Sequence, residues 1–317
     1  MQKLLITRAM PARVLEAAQA RFAVTLFPGD RALSLDEAKA ALRDHDVILP
    51  TLGDGFSAGA FADGAGRCRA LTNFGVGYNH IDVAAARAVG VEVTNTPGAV
   101  TDATADIAML LMLMAARRGS EGERMLRSGA WTGWQPTQLL GLHVTGKTVG
   151  IVGMGRIGMA VARRCHYGFD MAVVFYNRSR VADPGMPAEQ LATLADVMAA
   201  SDVVIVAVPG GAGTRHLIDA DALAAMRPHG ILVNVARGDV VDETALIEAL
   251  QQGRIGGAGL DVYEREPDMP QALRDLPNAA LLPHLGTAAL EVREAMGMMA
   301  LDNAIAVADG RPPPNRV

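Results

Sequence analysis

One short glycine run limits the possible folds of this chain more than any other feature. Gly153-Met154-Gly155-Arg156-Ile157-Gly158 follows an apolar segment, 147–152, and opens a helical pattern carrying Ile157, Ala160, Val161 and Ala162. Each glycine in a strand–loop–helix of this kind has its own reason. The first permits the tight turn, the second lets backbone approach a pyrophosphate, and the third lets the helix pack against the strand. N–H groups at the helix start then face the phosphate oxygens. Glycine-rich turns also occur in plain strand–helix corners, but here strand, loop and helix stand in the order a dinucleotide site requires.

The residues on both sides repeat the same alternation. Segments 4–7, 47–49, 71–72 and 91–94 read as strands. Between them, 11–20 reads as a helix opened by Pro11, and 34–43 as a helix started by a Ser34/Glu37 capping box. A long helix is expected over 103–118, capped by Thr101 or Asp102, with Arg117 and Arg118 in its last turn and Gly119 ending it. Further strands follow at 147–152, 171–176, 203–208, 231–235, 258–262 and 280–282, and a last helix at 288–308. Strands alternating with helices predict parallel sheets covered on both faces. The expected class is therefore α/β with two doubly wound, Rossmann-like domains, the second inserted into the first and the long helix read as a hinge between them.

Composition excludes several other classes. Half of the 317 residues are hydrophobic, 20% are charged and the formal net charge is −5, so neither disorder nor nucleic-acid binding is expected. The longest apolar run, 107–116, is short for a membrane span. No signal-peptide pattern opens the chain, Cys68 and Cys165 make no disulfide framework, and no Cys/His cluster has metal spacing. The expectation is a soluble cytoplasmic protein with no metal and no membrane partner.

The turn after the second strand of the inserted domain points to a particular nucleotide. An NAD site usually carries Asp or Glu there, about 20 residues past the loop, to bind the ribose hydroxyls. This chain has Asn177-Arg178-Ser179-Arg180 instead. Two arginines and a serine suit a 2′-phosphate, so NADP(H) is expected in preference to NAD(H), which stays possible. Three later strand ends deliver Arg237, Glu266 and His284 to the rim where open α/β sheets bind ligands. Singly, these could be a turn arginine, a solvated acid beside Glu264 and Asp268, and a strand-capping histidine. Together they suit reduction of a keto acid. Arginine grips a carboxylate and polarises the neighbouring carbonyl, histidine moves a proton near neutral pH, and a carboxylate orients the ring.

With these motifs in order, the chain resembles the D-isomer-specific 2-hydroxyacid dehydrogenases over nearly its whole length. The resemblance rests on Gly141, on Gly146-Lys147-Thr148-Val149-Gly150-Ile151-Val152-Gly153, and on Asn234-Val235-Ala236-Arg237-Gly238. It continues through Gly259-Leu260-Asp261-Val262-Tyr263, Glu266-Pro267 and Pro283-His284-Leu285-Gly286-Thr287. It implies a dinucleotide-binding domain of 101–284 inserted into a discontinuous, flavodoxin-like substrate domain of 1–100 and 285–317. It further implies that Arg237 binds substrate, that Glu266 partners the histidine and that His284 is the general acid. In the first domain, Gly75-Val76-Gly77 resembles a backbone-amide cradle for the substrate carboxylate, and Leu52 a pocket wall. Cofactor contacts implied besides Gly153, Gly155, Gly158 and the 177–180 turn are Arg156, Ile157, Val208, Pro209, Thr214, Val235, Ala236, Asp261 and Gly286. Segment 209–214 is richer in glycine than the family pattern.

The NADP-type turn, and Trp131-Thr132-Gly133-Trp134 with Pro136, most resemble the glyoxylate/hydroxypyruvate reductase branch, with 2-ketogluconate reductases close by. A homodimer is implied, with an aromatic near Trp134 reaching the neighbouring subunit's site; both tryptophans could equally anchor a linker. Two other readings share the same fold. A formate dehydrogenase would carry glutamine where Glu266 stands. A nucleotide-sensing, corepressor-like binding protein could retain the trio without the chemistry.

Overall fold

The computed structural model describes residues 1–317, which form two compact units: Met1–Val100 with Thr287–Val317, and Thr101–Gly286. The first unit contains β1 (Lys3–Ile6), α1 (Ala12–Arg21), β2 (Ala23–Leu26), α2 (Leu35–Asp44), β3 (Val47–Leu49), β4 (Ala70–Thr72), α3 (Val83–Ala88) and β5 (Glu92–Thr94). Its five strands are all parallel in the order β2-β1-β3-β4-β5, the flavodoxin-like arrangement. Side chains alternate across a strand, so one run of residues serves two cores. Leu5, Ile48 and Leu71 join Ala38, Ala41 and Leu42 of α2 on one face. Leu4, Ile6, Val47 and Leu49 pack with Ala18 on the other. The predicted capping box is formed: Ser34 Oγ accepts from Glu37 N–H (3.3 Å), and Glu37 accepts from Ser34 N–H (2.9 Å).

The second unit runs through α4 (Thr101–Ala116), α5 (Gly119–Arg127), β6 (Thr148–Val152), α6 (Arg156–Phe169), β7 (Ala172–Tyr176), β8 (Glu189–Gln190) and α7 (Leu194–Ala200). It continues with β9 (Val203–Val206), α8 (Ala220–Ala225), β10 (Ile231–Asn234), α9 (Glu243–Gln251), β11 (Gly257–Leu260), α10 (Gln271–Arg274) and β12 (Ala279–Leu281). The sheet order β12-β11-β10-β9-β6-β7-β8 is again wholly parallel. Counted from β6, this is the dinucleotide-fold order 3-2-1-4-5-6 with one more strand at the far edge. Every residue of β9, β10 and β11 is buried, as expected for strands covered on both faces. Val149, Ile151, Ile205 and Val233 face α4 and α6, whereas Val204, Val206, Leu232 and Leu260 face Leu223, Leu246 and Leu250. Helix α4 lies close on β11 because Gly259 has no side chain: a Cβ there would stand 2.9 Å from Leu111 Cβ.

The chain returns to the first unit at Thr287, two residues past the boundary read from the sequence. Leu285 and Gly286 stay with the second unit because their N–H groups bond to Asp261. Helix α11 (Leu290–Ala308) then packs Ala300, Leu301 and Ala304 against the first sheet. No helix is long and apolar enough to cross a membrane.

One helix boundary differs from expectation. Helix α4 ends at Ala116, so Arg117 and Arg118 lie outside its last turn, and Gly119 opens α5 instead of terminating α4. The cause is a chain crossing at that point. Leu142 N–H bonds to the Ala116 carbonyl at 2.7 Å, and a Cβ on Gly141 would lie 2.3 Å from that oxygen. Arg118 takes a left-handed conformation (φ 54°) and closes on Glu121 at 2.8 Å.

Asp202, 5% exposed, ties three strand starts together. Its carboxylate accepts from Thr148 N–H (2.9 Å), Arg227 (2.7 Å) and His229 (2.7 Å). Burial alone would raise its pKa, but the bonds from Thr148, His229 and Arg227 outweigh that and hold it at about 2. The folded value lies below the unfolded one, so the stability it contributes is complete above about pH 4 and lost as pH falls toward 2. Asp202→Asn should cost about 2 kcal/mol at neutral pH and flatten stability across that acid window. Denaturant titrations at pH 7 and pH 3 check both; an unchanged acid limb would contradict the assignment.

Candidate active site

Because all seven strands of the second sheet are parallel, their carboxyl ends share one rim. Reading from one edge, the rim carries His284 after β12, Asp261 and Glu266 after β11, and Val235–Arg237 after β10. Next come Val208 and Pro209 after β9, the glycine loop after β6, and Asn177–Arg180 after β7. The sequence-predicted residues of this unit therefore line up along a single edge.

The glycine loop has the room a dinucleotide needs. Gly153 has φ +99°, and a Cβ on it would meet Val208 N at 2.9 Å. A Cβ on Gly158 would lie 2.1 Å from Gly153 O, so helix α6 can approach β6 only with glycine there. At Gly155, by contrast, an added Cβ meets nothing within 4 Å. That is the open side on which phosphate can reach the backbone. Gly155 stands at the N-cap of α6 with no side-chain cap, which leaves the first N–H groups of the helix for an outside acceptor. Arg156 is exposed and Ile157 half-buried. These residues fit the phosphates of a dinucleotide. At the end of β7, Arg178, Ser179 and Arg180 are exposed, and neither arginine forms an ion pair. Thr214 closes the glycine-rich 209–214 segment by donating to Pro209 O at 2.7 Å.

At β10, the side chain of Asn234 bends the chain into the arginine turn. It accepts from Ala236 N–H (3.0 Å) and donates to Arg237 O (2.9 Å). Gly238 is obligatory, since a Cβ there would sit 1.8 Å from the Tyr263 carbonyl carbon. The Arg237 guanidinium donates from Nη1 to Ala236 O (2.6 Å), while its Nε is buried with no partner. Burial draws its pKa below the ordinary arginine value, opposed by Glu266 and Asp239; it stays a cation. A desolvated, incompletely paired guanidinium at a ligand rim is built to receive an anion.

His284 and Glu266 are brought together: Nδ1 lies 2.8 Å from Glu266 Oε2, with the side chains 32% and 28% exposed. Glu266 Oε1 accepts from Tyr263 N–H at 3.0 Å. Burial pushes the Glu266 pKa up, but the hydrogen bond and charge of His284, with Tyr263 N–H and Arg237, carry it below its usual range. Glu266 is thus an anion placed to accept a hydrogen bond from His284 Nδ1–H, which leaves Nε2 outside the pair. His284 has φ +55°, left-handed and unusual for a histidine. Asp261 holds it there: its carbonyl accepts from His284 N–H (3.0 Å), and its carboxylate from Leu285 N–H (2.6 Å) and Gly286 N–H (2.7 Å). Burial raises the Asp261 pKa, against the pull of those bonds and of His284. Asp261, expected among the cofactor contacts, accepts one N–H of the histidine loop on each carboxylate oxygen and keeps acceptor capacity for a further partner.

In the first unit, Leu52 is 42% exposed at the end of β3, on a turn pinned by buried Asp54 through Thr51 N–H (2.8 Å). After β4, buried Asn73 donates to Gly75 O and Gly77 O, both at 3.0 Å, and Asn95 donates to Val76 O at 2.9 Å. A trans peptide points its C=O and N–H in opposite directions. Holding the Gly75 and Val76 carbonyls inward therefore turns the N–H groups of Val76 and Gly77 outward, and neither has an acceptor in the chain. Sequence reasoning missed Asn73 and Asn95. An asparagine directly after a buried strand, followed by glycines, is the signal that could have found them.

The model of the D-isomer specific 2-hydroxyacid dehydrogenase NAD binding domain matches residues 109–286. The chain belongs to the D-isomer specific 2-hydroxyacid dehydrogenase family. It is 43% identical to a glyoxylate reductase of Thermococcus kodakarensis, across 99% of this chain and 96% of that protein. Among solved structures it is similar to a glyoxylate reductase from Paecilomyes thermophila (TM-score 0.88, 33% identity, covering 100% of this chain and 98% of that one). It is equally similar to an NADPH-dependent glyoxylate/hydroxypyruvate reductase from Sinorhizobium meliloti solved with NADP and malonate (TM-score 0.88, 37% identity, covering 100% and 96%).

For this dehydrogenase, the tight approach at Gly158 gives a direct test. Gly158→Ala must separate α6 from β6, a strain of about 1–3 kcal/mol, and should weaken nucleotide binding by about tenfold or more. Fluorescence titration with NADPH and NADH measures it; unaltered affinity in the folded variant would refute the role given to this glycine.

Proposed function

We propose that the chain is an NADP(H)-preferring reductase of short 2-keto acids, forming D-2-hydroxy acids of the glyoxylate or hydroxypyruvate type. The observation that carries this reading is the half-buried Arg237 guanidinium, whose buried Nε has no partner, on the same rim as the His284–Glu266 pair. A 2-keto acid presents the complementary groups, a carboxylate beside a carbonyl. The names of the relatives support the same substrate class.

Bound NADPH would supply the hydride that the carbonyl carbon gains. The protein's own groups do the rest. Arg237 takes the carboxylate and draws electron density from the adjacent carbonyl. His284, protonated, gives its Nε2 proton to the carbonyl oxygen as that oxygen becomes negative. Glu266 keeps Nδ1 protonated and stabilises the imidazolium before transfer. In the first unit, the outward N–H groups of Val76 and Gly77 have the chemistry a carboxylate requires, and Leu52 is proposed to wall the substrate's side. The absent carboxylate at the end of β7, with Arg178 and Arg180 free of ion pairs, supports the 2′-phosphate. Val208, Pro209, Thr214, Val235, Ala236, Asp261 and Gly286 are proposed as further nucleotide contacts.

We also propose a homodimer. Leu126, Trp131, Trp134 and Leu140 are 64%, 49%, 80% and 67% exposed, an apolar display that suits contact with a second copy. Both cysteines are free and buried, in keeping with a reducing cytoplasm.

Exchanging His284 for Ala should lower kcat by about 10²- to 10⁴-fold while NADPH affinity stays within about twofold, because His284 acts on the proton and not on the nucleotide. Near-wild-type turnover would remove His284 from the mechanism. Light scattering should give twice the chain mass; a monomer at micromolar concentration would contradict the dimer.

A further inference from the structure

The turn after β7 owes its shape to one side chain outside it. Gln190 lies on the short edge strand β8, opposite Phe175 in the parallel ladder, and Leu191 N–H bonds to Phe175 O at 2.9 Å just beyond. Gln190 Oε1 accepts from Val181 N–H at 3.0 Å, and its Nε2 donates to Asn177 O at 3.3 Å and Ser179 O at 3.1 Å. The mixed set fixes the amide's orientation, because only its oxygen can face an N–H and only its nitrogen can face carbonyls. Asn177 Nδ2 adds bonds to Ser179 O (3.0 Å) and Ser179 Oγ (3.2 Å).

These bonds decide what the turn shows to solvent. The peptides are trans, so drawing the Asn177 and Ser179 carbonyls toward Gln190 turns the N–H groups of Arg178 and Arg180 away from it. Neither N–H has an acceptor in the chain. Ser179 Oγ already accepts a bond, which leaves its O–H free to donate. The turn therefore presents two peptide N–H groups, one hydroxyl and two unpaired guanidinium groups, on a backbone already ordered before any anion arrives. Preordering removes a cost that a loose arginine turn would meet on binding.

We propose that Gln190 is a positioning residue for cofactor choice: by fixing the 177–181 backbone it makes the turn select a ribose 2′-phosphate. This rests on the NADP(H) reading above, and the test separates the two. Calorimetric titration of the purified protein with 2′,5′-ADP and with AMP reads the phosphate's contribution without any turnover. The wild type should bind 2′,5′-ADP more tightly than AMP. Gln190→Leu should reduce that advantage by about tenfold, the loss of roughly one charge-assisted bond, with AMP affinity unchanged. Gln190→Glu keeps the acceptor for Val181 but sets a carboxylate against two carbonyls, so it should lose the advantage as well; being nearly isosteric, it serves if the leucine variant fails to fold. A folded variant with the wild-type advantage overturns the role of Gln190, and so does an equal loss for both ligands. No advantage in the wild type overturns the NADP(H) reading itself.

Discussion

Everything at the carboxyl ends of each sheet depends on how the backbone is satisfied once the parallel ladder stops. Inside the sheets, each strand's N–H and C=O groups are paired with a neighbour. Past the carboxyl ends they are not, and buried polar groups without partners are costly. Polar side chains at the strand ends, in the loops and on a neighbouring strand meet this need. Asp261 gathers the N–H groups after β12, Asn234 folds the arginine turn, and Asn73 with Asn95 clamps the glycines after β4. Gln190 does the same after β7. Asn73 and Gln190 consume carbonyls and leave the N–H groups of the same peptides free. The unpaired groups are then the ones a ligand can meet.

The charges follow the same logic. Arg237 is drawn out of water and left with an unpartnered Nε, an arrangement that favours an incoming carboxylate over any group already in the chain. Glu266 is kept ionised by His284, Tyr263 N–H and Arg237 in spite of its burial. The histidine is in turn held in a left-handed backbone conformation that only the Asp261 bonds explain. In the proposed reaction, removing Asp261 would thus act on proton transfer through the position of His284.

Much of this was legible in the sequence, for physical reasons. Strands covered on both faces read as apolar runs, and glycines that a Cβ would block read as motif positions. Strand ends were read one or two residues too long, as at 203–208 and 258–262, because Val208 and Val262 remain partly or fully buried in the rim loops. Hydrophobicity reports burial, and burial continues beyond the ladder. Strand β2 escaped notice because three of its four residues are exposed, and α5 because its start carries Gly119 and charged residues. Arg237, Glu266 and His284 could be found from their places at strand ends. Asn73 and Asn95 stand directly after buried strands and near glycines, a signal open to a reader, whereas Gln190 on an exposed edge strand carries none, since an amide side chain there reads the same whether it is solvated or holding a turn.

The central claim is the proposed reduction of a short 2-keto acid by bound nucleotide, with Arg237 and His284 acting on the acid. It is tested most directly by following NADPH and NADH absorbance with purified protein and glyoxylate, hydroxypyruvate, pyruvate or 2-ketogluconate. Rapid loss of NADPH with a short 2-keto acid, faster than loss of NADH, is the predicted result. Protein that binds nucleotide but turns over none of the four acids with either cofactor would contradict the account.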